Sequence, residues 1–207
     1  MPDNTNTLNQ SRFPAGIRPD IERIVFTGPA TAGTSLHDLF HGLTNLSAIE
    51  NIDYIDTAIT RNIRRVFMDT HSLDHIDLSS WDTSSATNMY RMFTDSGVVT
   101  LDTSGWNTAA VTNFGSMFWG AGNLTAIIGA DSWNTGSALR MSRMFQGASS
   151  LVGLNPSSWD TSSVTLMYNM FHNASSLTSL DLSGWDVSNV IPIPNKTTMI
   201  NGDDVVY

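Results

Sequence analysis

The chain has no cysteine and, among its 207 residues, a single lysine, Lys196. Without cysteine it forms no disulfide and no thiolate zinc site. Only 14% of its residues are charged, and the balance is acidic, giving a formal charge of −9 with nineteen carboxylates against ten basic side chains. Nucleic-acid binding needs a basic stripe that displaces phosphate counterions, so that class is excluded. No apolar run approaches the ~18–20 residues needed to cross a bilayer as a helix, so no membrane insertion is expected. The opening MPDNTNTLNQSRFPAG lacks a basic stretch followed by an apolar one, so no signal-peptide pattern is visible. The expectation is either an intracellular protein or a mature or truncated piece of a longer chain. Catalytic signatures are missing as well. The five histidines fall into no H-E-x-x-H, and neither a G-x-S-x-G elbow nor a Walker loop occurs. No enzymatic activity, cofactor or metal is therefore expected, although a His–Asp pair could still meet in space.

What the chain does have is a repeat. Trp81, Trp106, Trp133, Trp159 and Trp185 are spaced by 25, 27, 26 and 26 residues. Phe40, Phe67, Phe93, Phe118, Phe145 and Phe171 follow at 27, 26, 25, 27 and 26. Two residue types sharing one period mark a repeat array, in which no unit buries its apolar face without neighbours. Repeats start at Leu46, Leu73, Val98, Leu124, Leu151 and Leu177. The opening LTSLDLSGW alternates apolar and polar residues, the signature of a half-buried strand. Val164, Met167, Met170 and Phe171 have helical spacing, which predicts one or two turns of α or 3₁₀ structure. The chain then divides into a flexible arm over 1–20, a degenerate capping repeat over 21–45, about six repeats over 46–190, and a cap or tail over 191–207. Pro192 and Pro194 would blunt the final edge.

The L-x-x-L-x-L opening with its corner residue resembles the leucine-rich repeat. The recurring Trp-Asp-Thr-Ser-Ser and Met-Phe blocks resemble, more specifically, BspA-like leucine-rich repeat surface proteins of bacteria, over roughly Ile21 to Val190. The resemblance implies a right-handed α/β solenoid with a parallel concave sheet and short helical turns on the convex side. Seven strands would run from near 21–26 to near 177–182, forming a ladder of ~29 Å. It also implies a non-enzymatic module at the cell surface or secreted, binding a host or neighbouring-cell protein or glycan as a monomer.

Within that frame the tryptophans Trp81, Trp106, Trp133, Trp159 and Trp185 read as a buried ladder, with sugar stacking the weaker alternative. The pairs Met89/Met92, Met141/Met144 and Met167/Met170 read as core filler. Glu50, Asp77, Asp102, Asn155 and Asp181 would stand in single file on the strand face, interrupted near Ile128. That row is either a cation or basic-partner site or a solvated stripe that discourages sheet aggregation. Asp82, Asn107, Asn134, Asp160 and Asp186 follow the tryptophans and suit Asx turns better than calcium. Trp119 stands where other repeats carry Thr94, Gln146 and His172, so its slot faces outward and makes it a candidate contact residue. Arg61, Arg64 and Arg65 read as a solvated face. The competing functions are a structural spacer in a surface stalk and, with less support, ice or mineral binding by the Thr83, Thr108, Thr135 and Thr161 column.

Overall fold

The computed structural model describes Thr7, Leu8, Phe13 and residues 15–192. Pro194, Lys196 and most of the expected cap or tail lie outside these residues, as does part of the expected arm. Seven short strands are present among the described residues: β1 (Thr7–Leu8), β2 (Arg23–Val25), β3 (Ala30–Ala32), β4 (Ala48–Glu50), β5 (Ile55–Asp56), β6 (Thr100–Asp102) and β7 (Ala126–Ile128). They form three separate parallel sheets, ordered β1-β3-β5, β2-β4 and β6-β7. Three 3₁₀ turns, Ala15–Asp20, Ile52–Tyr54 and Ala130–Ser132, complete the regular structure. The Arg18 guanidinium donates to the carbonyls of Phe13 and His41, joining the N-terminal segment to the first repeat.

The leucine-rich-repeat-like solenoid implied by the sequence is not what forms. The chain is mostly turn and irregular backbone, no α-helix occurs among the described residues, and residues 177–182 hold no strand. No continuous seven-stranded concave sheet joins the repeats. Two local causes account for this.

The first lies in the segment with helical spacing. Asp38, Arg65, Arg91, Ser116, Arg143 and Asn169, each two residues before a marker phenylalanine, all have φ between 54° and 63°. Gly42, Asp69, Asp95, Gly120, Gly147 and Asn173, each two residues after it, are left-handed as well. A left-handed residue every fourth position breaks any α-helix. The N–H groups instead alternate between two partners. Those of Met89, Arg91, Phe93 and Asp95 cross to the carbonyls of Asn113, Gly115, Met117 and Trp119 in the next repeat. Those of Met92, Thr94 and Ser96 close turns onto residues three positions back. The same four crossings recur between neighbouring repeats from Leu36 to His172, so almost the whole backbone of this face is satisfied without a helix.

The second cause lies in the strand segments. Asp77, Asp102, Asn155 and Asp181 turn their side chains onto the N–H two residues ahead, at 2.9, 2.9, 3.3 and 3.0 Å. An Asx turn at that point ends the extended backbone after about three residues.

Between these faces lies the core. The phenylalanine column is continuous, with neighbouring ring centroids 5.5, 5.2, 5.6, 5.6 and 5.5 Å apart from Phe40 to Phe171. Trp106, Trp133, Trp159 and Trp185 stack at 6.4, 5.6 and 6.2 Å, while Trp81 tilts against Phe67. Trp185 is half-buried and the other four ladder tryptophans are buried, as are the methionine pairs. The indole N–H of Trp159 donates to Ala130 O and that of Trp185 to Pro156 O, whereas those of Trp81 and Trp106 are buried without a hydrogen-bond partner. Trp133 uses the Thr103 hydroxyl instead.

Threonines link the repeats. Thr57, Thr83, Thr108, Thr135 and Thr161 are buried and donate Oγ1 to the carbonyls of Asp82, Asn107, Asn134, Asp160 and Asp186. Each such bond stabilises by about 1 kcal/mol net. The threonine column weighed for ice binding is therefore interior, and its hydroxyls are already engaged.

Candidate functional site

Two faces carry the polar side chains, and the strand face is the first. Val25 stands in register with Glu50, and Asp102 with Ile128. Asp77, Asp102, Asn155 and Asp181 are exposed, and Glu50 is half-buried in an ion pair with Arg23 at 2.6 Å. Ile128, half exposed, stands in the row and interrupts it. Each of the four Asx side chains, Asp77, Asp102, Asn155 and Asp181, already accepts an N–H from its own turn. A cleft of about 530 Å³ opens beside it, where β4 pairs only with β2 and faces the irregular His75–Ser80 segment.

The residues that follow the tryptophans behave alike. Asp82, Asn107, Asn134, Asp160 and Asp186 accept the N–H two residues ahead at 2.9–3.2 Å, the Asx turn expected for them. Hydrogen bonds from serine hydroxyls and N–H groups hold Asp82, Asp102, Asp160, Asp181 and Asp186 below the usual carboxylate range. For Asp77 the Ser79 N–H is the main cause. Depressed carboxyls contribute stability that is complete above their unfolded value of about 4. That contribution is lost as pH falls through the lower folded values. Asp95, which burial pushes upward, acts in the opposite sense, one group against six. The melting temperature should therefore decline slightly from pH 7 to about 5, as His37, whose pKa burial lowers, takes up a proton on unfolding, and fall further below about 4. Differential scanning calorimetry across that range checks it, and a level profile down to pH 2 would remove the Asx turns from the stability of the repeats.

The second face is the run of turns. Trp119 lies there, half-buried; its slot is not the outward one expected, because its counterpart Thr94 is buried and Gln146 and His172 are half-buried. Its ring is sandwiched between two guanidiniums, Arg91 at 4.9 Å and Arg143 at 5.7 Å from the centroid. Arg91 also covers Tyr90 at 5.3 Å, and Arg143 covers Tyr168 at 5.4 Å. Five side chains from four repeats thus alternate ring and cation, each contact contributing about 0.5–1 kcal/mol. Neither Arg91 nor Arg143 has a carboxylate within ion-pair distance among the described residues, in a chain with nineteen acids. The Nε of each is buried with no hydrogen-bond partner. Sequence reading isolated Trp119 but missed these arginines. The visible signal was the slot two residues before each Phe, where Arg65, Arg91 and Arg143 recur.

At the N-terminal end of this face, histidines and aspartates do meet. His41 Nε2 lies 3.1 Å from Asp69 and His37 Nε2 lies 2.9 Å from Asp38. Asp38 also accepts from Arg65 Nε and Nη2, at 2.7 and 2.6 Å. Arg65 is therefore paired, and Asp38 is shared between Arg65 and His37. No group of three or more His, Asp or Glu side chains suited to a metal ion occurs among the described residues.

Residues 34–151 and 123–199 match the family described as Mycoplasma protein of unknown function, DUF285. The chain belongs to the DUF285 family. The two DUF285 matches overlap and together run from Thr34, at the start of the turn run, to beyond the last tryptophan, leaving out β2 of the strand face and also β3. No curated protein and no solved structure matches the chain significantly. Among the described residues no helix is long and apolar enough to cross a membrane.

Proposed function

We propose that this DUF285 protein is a non-enzymatic binding module, displayed at a cell surface, that engages a host or neighbouring-cell partner through its turn face. One observation carries the reading: the alternating stack Tyr90–Arg91–Trp119–Arg143–Tyr168. Tyr, Trp and Arg are the side chains enriched where a partner is gripped. Here they are held by a backbone cross-linked repeat to repeat, so little conformational entropy is lost on binding. The motif likeness to BspA-like surface proteins supports the same reading. The strand face offers less, because its Asx side chains are engaged in their own turns.

The test uses the fluorescently labelled full chain and flow cytometry on mammalian epithelial cells. Asn169 occupies the same left-handed slot as Arg91 and Arg143. The double variant Arg91→Asn, Arg143→Asn should therefore keep the fold, and its melting curve checks that. Saturable binding to cells should fall tenfold or more, given about 1.5–3 kcal/mol for a charge-assisted contact. Asp102→Asn on the strand face should bind like the parent. Binding unchanged in the double variant would overturn the assignment of the face. No binding by the parent chain would favour the spacer reading.

A further inference from the structure

Beside the stack, the turn face contains a notch of about 110 Å³ lined by Tyr90, Asn113, Arg140, Ser142, Arg143 and Tyr168. It exists because two repeats carry small residues where their neighbours carry tyrosine. The slot occupied by Tyr90 and Tyr168 is filled by Gly115 and Ser142 in the repeats between them. The Tyr90 ring leans across the vacated position, and a Cβ on Gly115 would sit 3.3 Å from it.

The chemistry of the lining is specific. Arg140 is exposed, and neither it nor Arg143 has a carboxylate within ion-pair distance among the described residues. Ser142 is buried, and its hydroxyl has no hydrogen-bond partner. Asn113 commits its Oδ1 to the Gly115 N–H at 2.9 Å, which leaves its amide nitrogen as a donor. Two cations, Arg143 held against its rings and Arg140 exposed, ask for an anion, and guanidinium geometry suits carboxylate or sulfate. The unpartnered hydroxyl and the amide ask for further hydroxyls. The tyrosines at either end present apolar rings with polar tips, suited to the C–H face of a small ring. A linear acidic peptide would satisfy the arginines alone.

We propose that the notch is a subsite for an anionic sugar residue, a pyranose bearing a carboxylate or sulfate, within a longer glycan. The proposal rests on the turn face being the binding face. Arg140 and Arg143 take the anionic group, Ser142 and Asn113 take ring hydroxyls, and Tyr90 and Tyr168 flank the sugar. The run of turns continues on both sides, so neighbouring residues of a glycan chain can follow the arginine column.

The experiment is biolayer interferometry on the immobilised full chain with four soluble probes: hyaluronate oligosaccharides, heparin oligosaccharides, dextran and poly-glutamate. Binding of either anionic saccharide, weakening with added salt, is expected. Heparin alone would identify the anion as sulfate, whereas binding of hyaluronate, whose anions are all carboxylates, would show that a carboxylate suffices. Dextran should not bind. Arg140→Gln should weaken binding about tenfold and Ser142→Ala about threefold or more, with melting temperatures within a degree or two of the parent. Failure of both saccharides to bind, Arg140→Gln binding like the parent, or poly-glutamate binding as tightly as the saccharides would each overturn the proposal. If cell binding persists and still depends on Arg91 and Arg143 while the saccharides fail, only the sugar assignment falls. If both assays fail, the binding-module reading falls with it.

Discussion

Replacing Trp159 with alanine is expected to lower the unfolding free energy by roughly 3–5 kcal/mol. The ring is fully enclosed, stacked on Trp133 at 5.6 Å and Trp185 at 6.2 Å, with Phe145 at 6.3 Å. Truncation removes contacts on three sides at once. It also strips the Ala130 carbonyl of the indole N–H that it receives at 2.8 Å in a buried setting. The backbone cannot collapse into the gap, because hydrogen bonds to both neighbouring repeats hold it at a fixed spacing. For a chain of this size each kcal/mol moves the melting temperature by about 2–4 °C, so a loss of roughly 10 °C should be seen. Trp185 is the internal comparison. It is half-buried and closes the ladder, with Phe171 tilted beside it. Trp185→Ala should therefore cost only about 1–2 kcal/mol, less than the fully buried case. Guanidinium denaturation of both variants measures the difference. Equal losses would mean that the tryptophans contribute individually, each to its own repeat, and not as a stack.

That ladder was legible from spacing alone; the phenylalanines were legible as a periodic marker, but not as a buried column. Periodicity reports which side chains share an environment, and stacked repeats give every copy of a residue the same one. The Asx turns after the tryptophans were also legible, since Asp and Asn favour that local bond in any context. Helix against turn was not. Val164, Met167, Met170 and Phe171 point inward at helical spacing, yet spacing says nothing of the sign of φ. The left-handed positions would have been visible as glycine. Instead the first column holds Asp38, Arg65, Arg91, Ser116, Arg143 and Asn169, and arginine is not a residue that signals positive φ. Each non-glycine residue there carries about 1 kcal/mol or more of strain. Inter-repeat hydrogen bonds and the aromatic column offset it, and both are non-local. Strand length failed for a similar reason. L-x-x-L-x-L alternates correctly, but its Asp also begins an Asx turn, and the local bond wins over extension of the ladder. The cation–ring stack escaped notice because its members come from different repeats. Tyr90 and Arg91 are adjacent in sequence, but Trp119 reaches Arg91 and Arg143 only once the repeats have stacked.

Gly97→Ala is expected to cost about 3 kcal/mol, near the upper end for overpacking. The cause is a missing residue. From marker phenylalanine to the next repeat start the chain uses six steps in five repeats, as in Phe67 to Leu73 or Phe118 to Leu124. From Phe93 to Val98 it uses five. The shortened connection must cut the corner, and Gly97 is where it does so. It is buried, its N–H reaches Thr70 O at 3.0 Å, and an added Cβ would fall against the carbonyl of His71 and within 3.2 Å of Leu73 O. Both obstacles are backbone, so no rotamer change relieves them. Either the Gly97–Thr70 bond breaks or the Phe93 repeat shifts away from its neighbour. A shift would disturb the phenylalanine column on both sides, since Phe93 stacks at 5.2 Å on Phe67 and 5.6 Å on Phe118. Gly122 provides the control, because it occupies the corresponding position one repeat later, where the connection has its full length. A Cβ there meets only the Ser149 hydroxyl at 3.6 Å and Gly120 O at 3.9 Å, which is ordinary contact. With no positive φ to strain, Gly122→Ala should be neutral or stabilising by up to about 1 kcal/mol, through the reduced entropy of the unfolded chain. Thermal unfolding of the pair separates the two explanations. If Gly97→Ala melts with the parent, the short connection is relaxed and the deletion imposes no constraint on the stack.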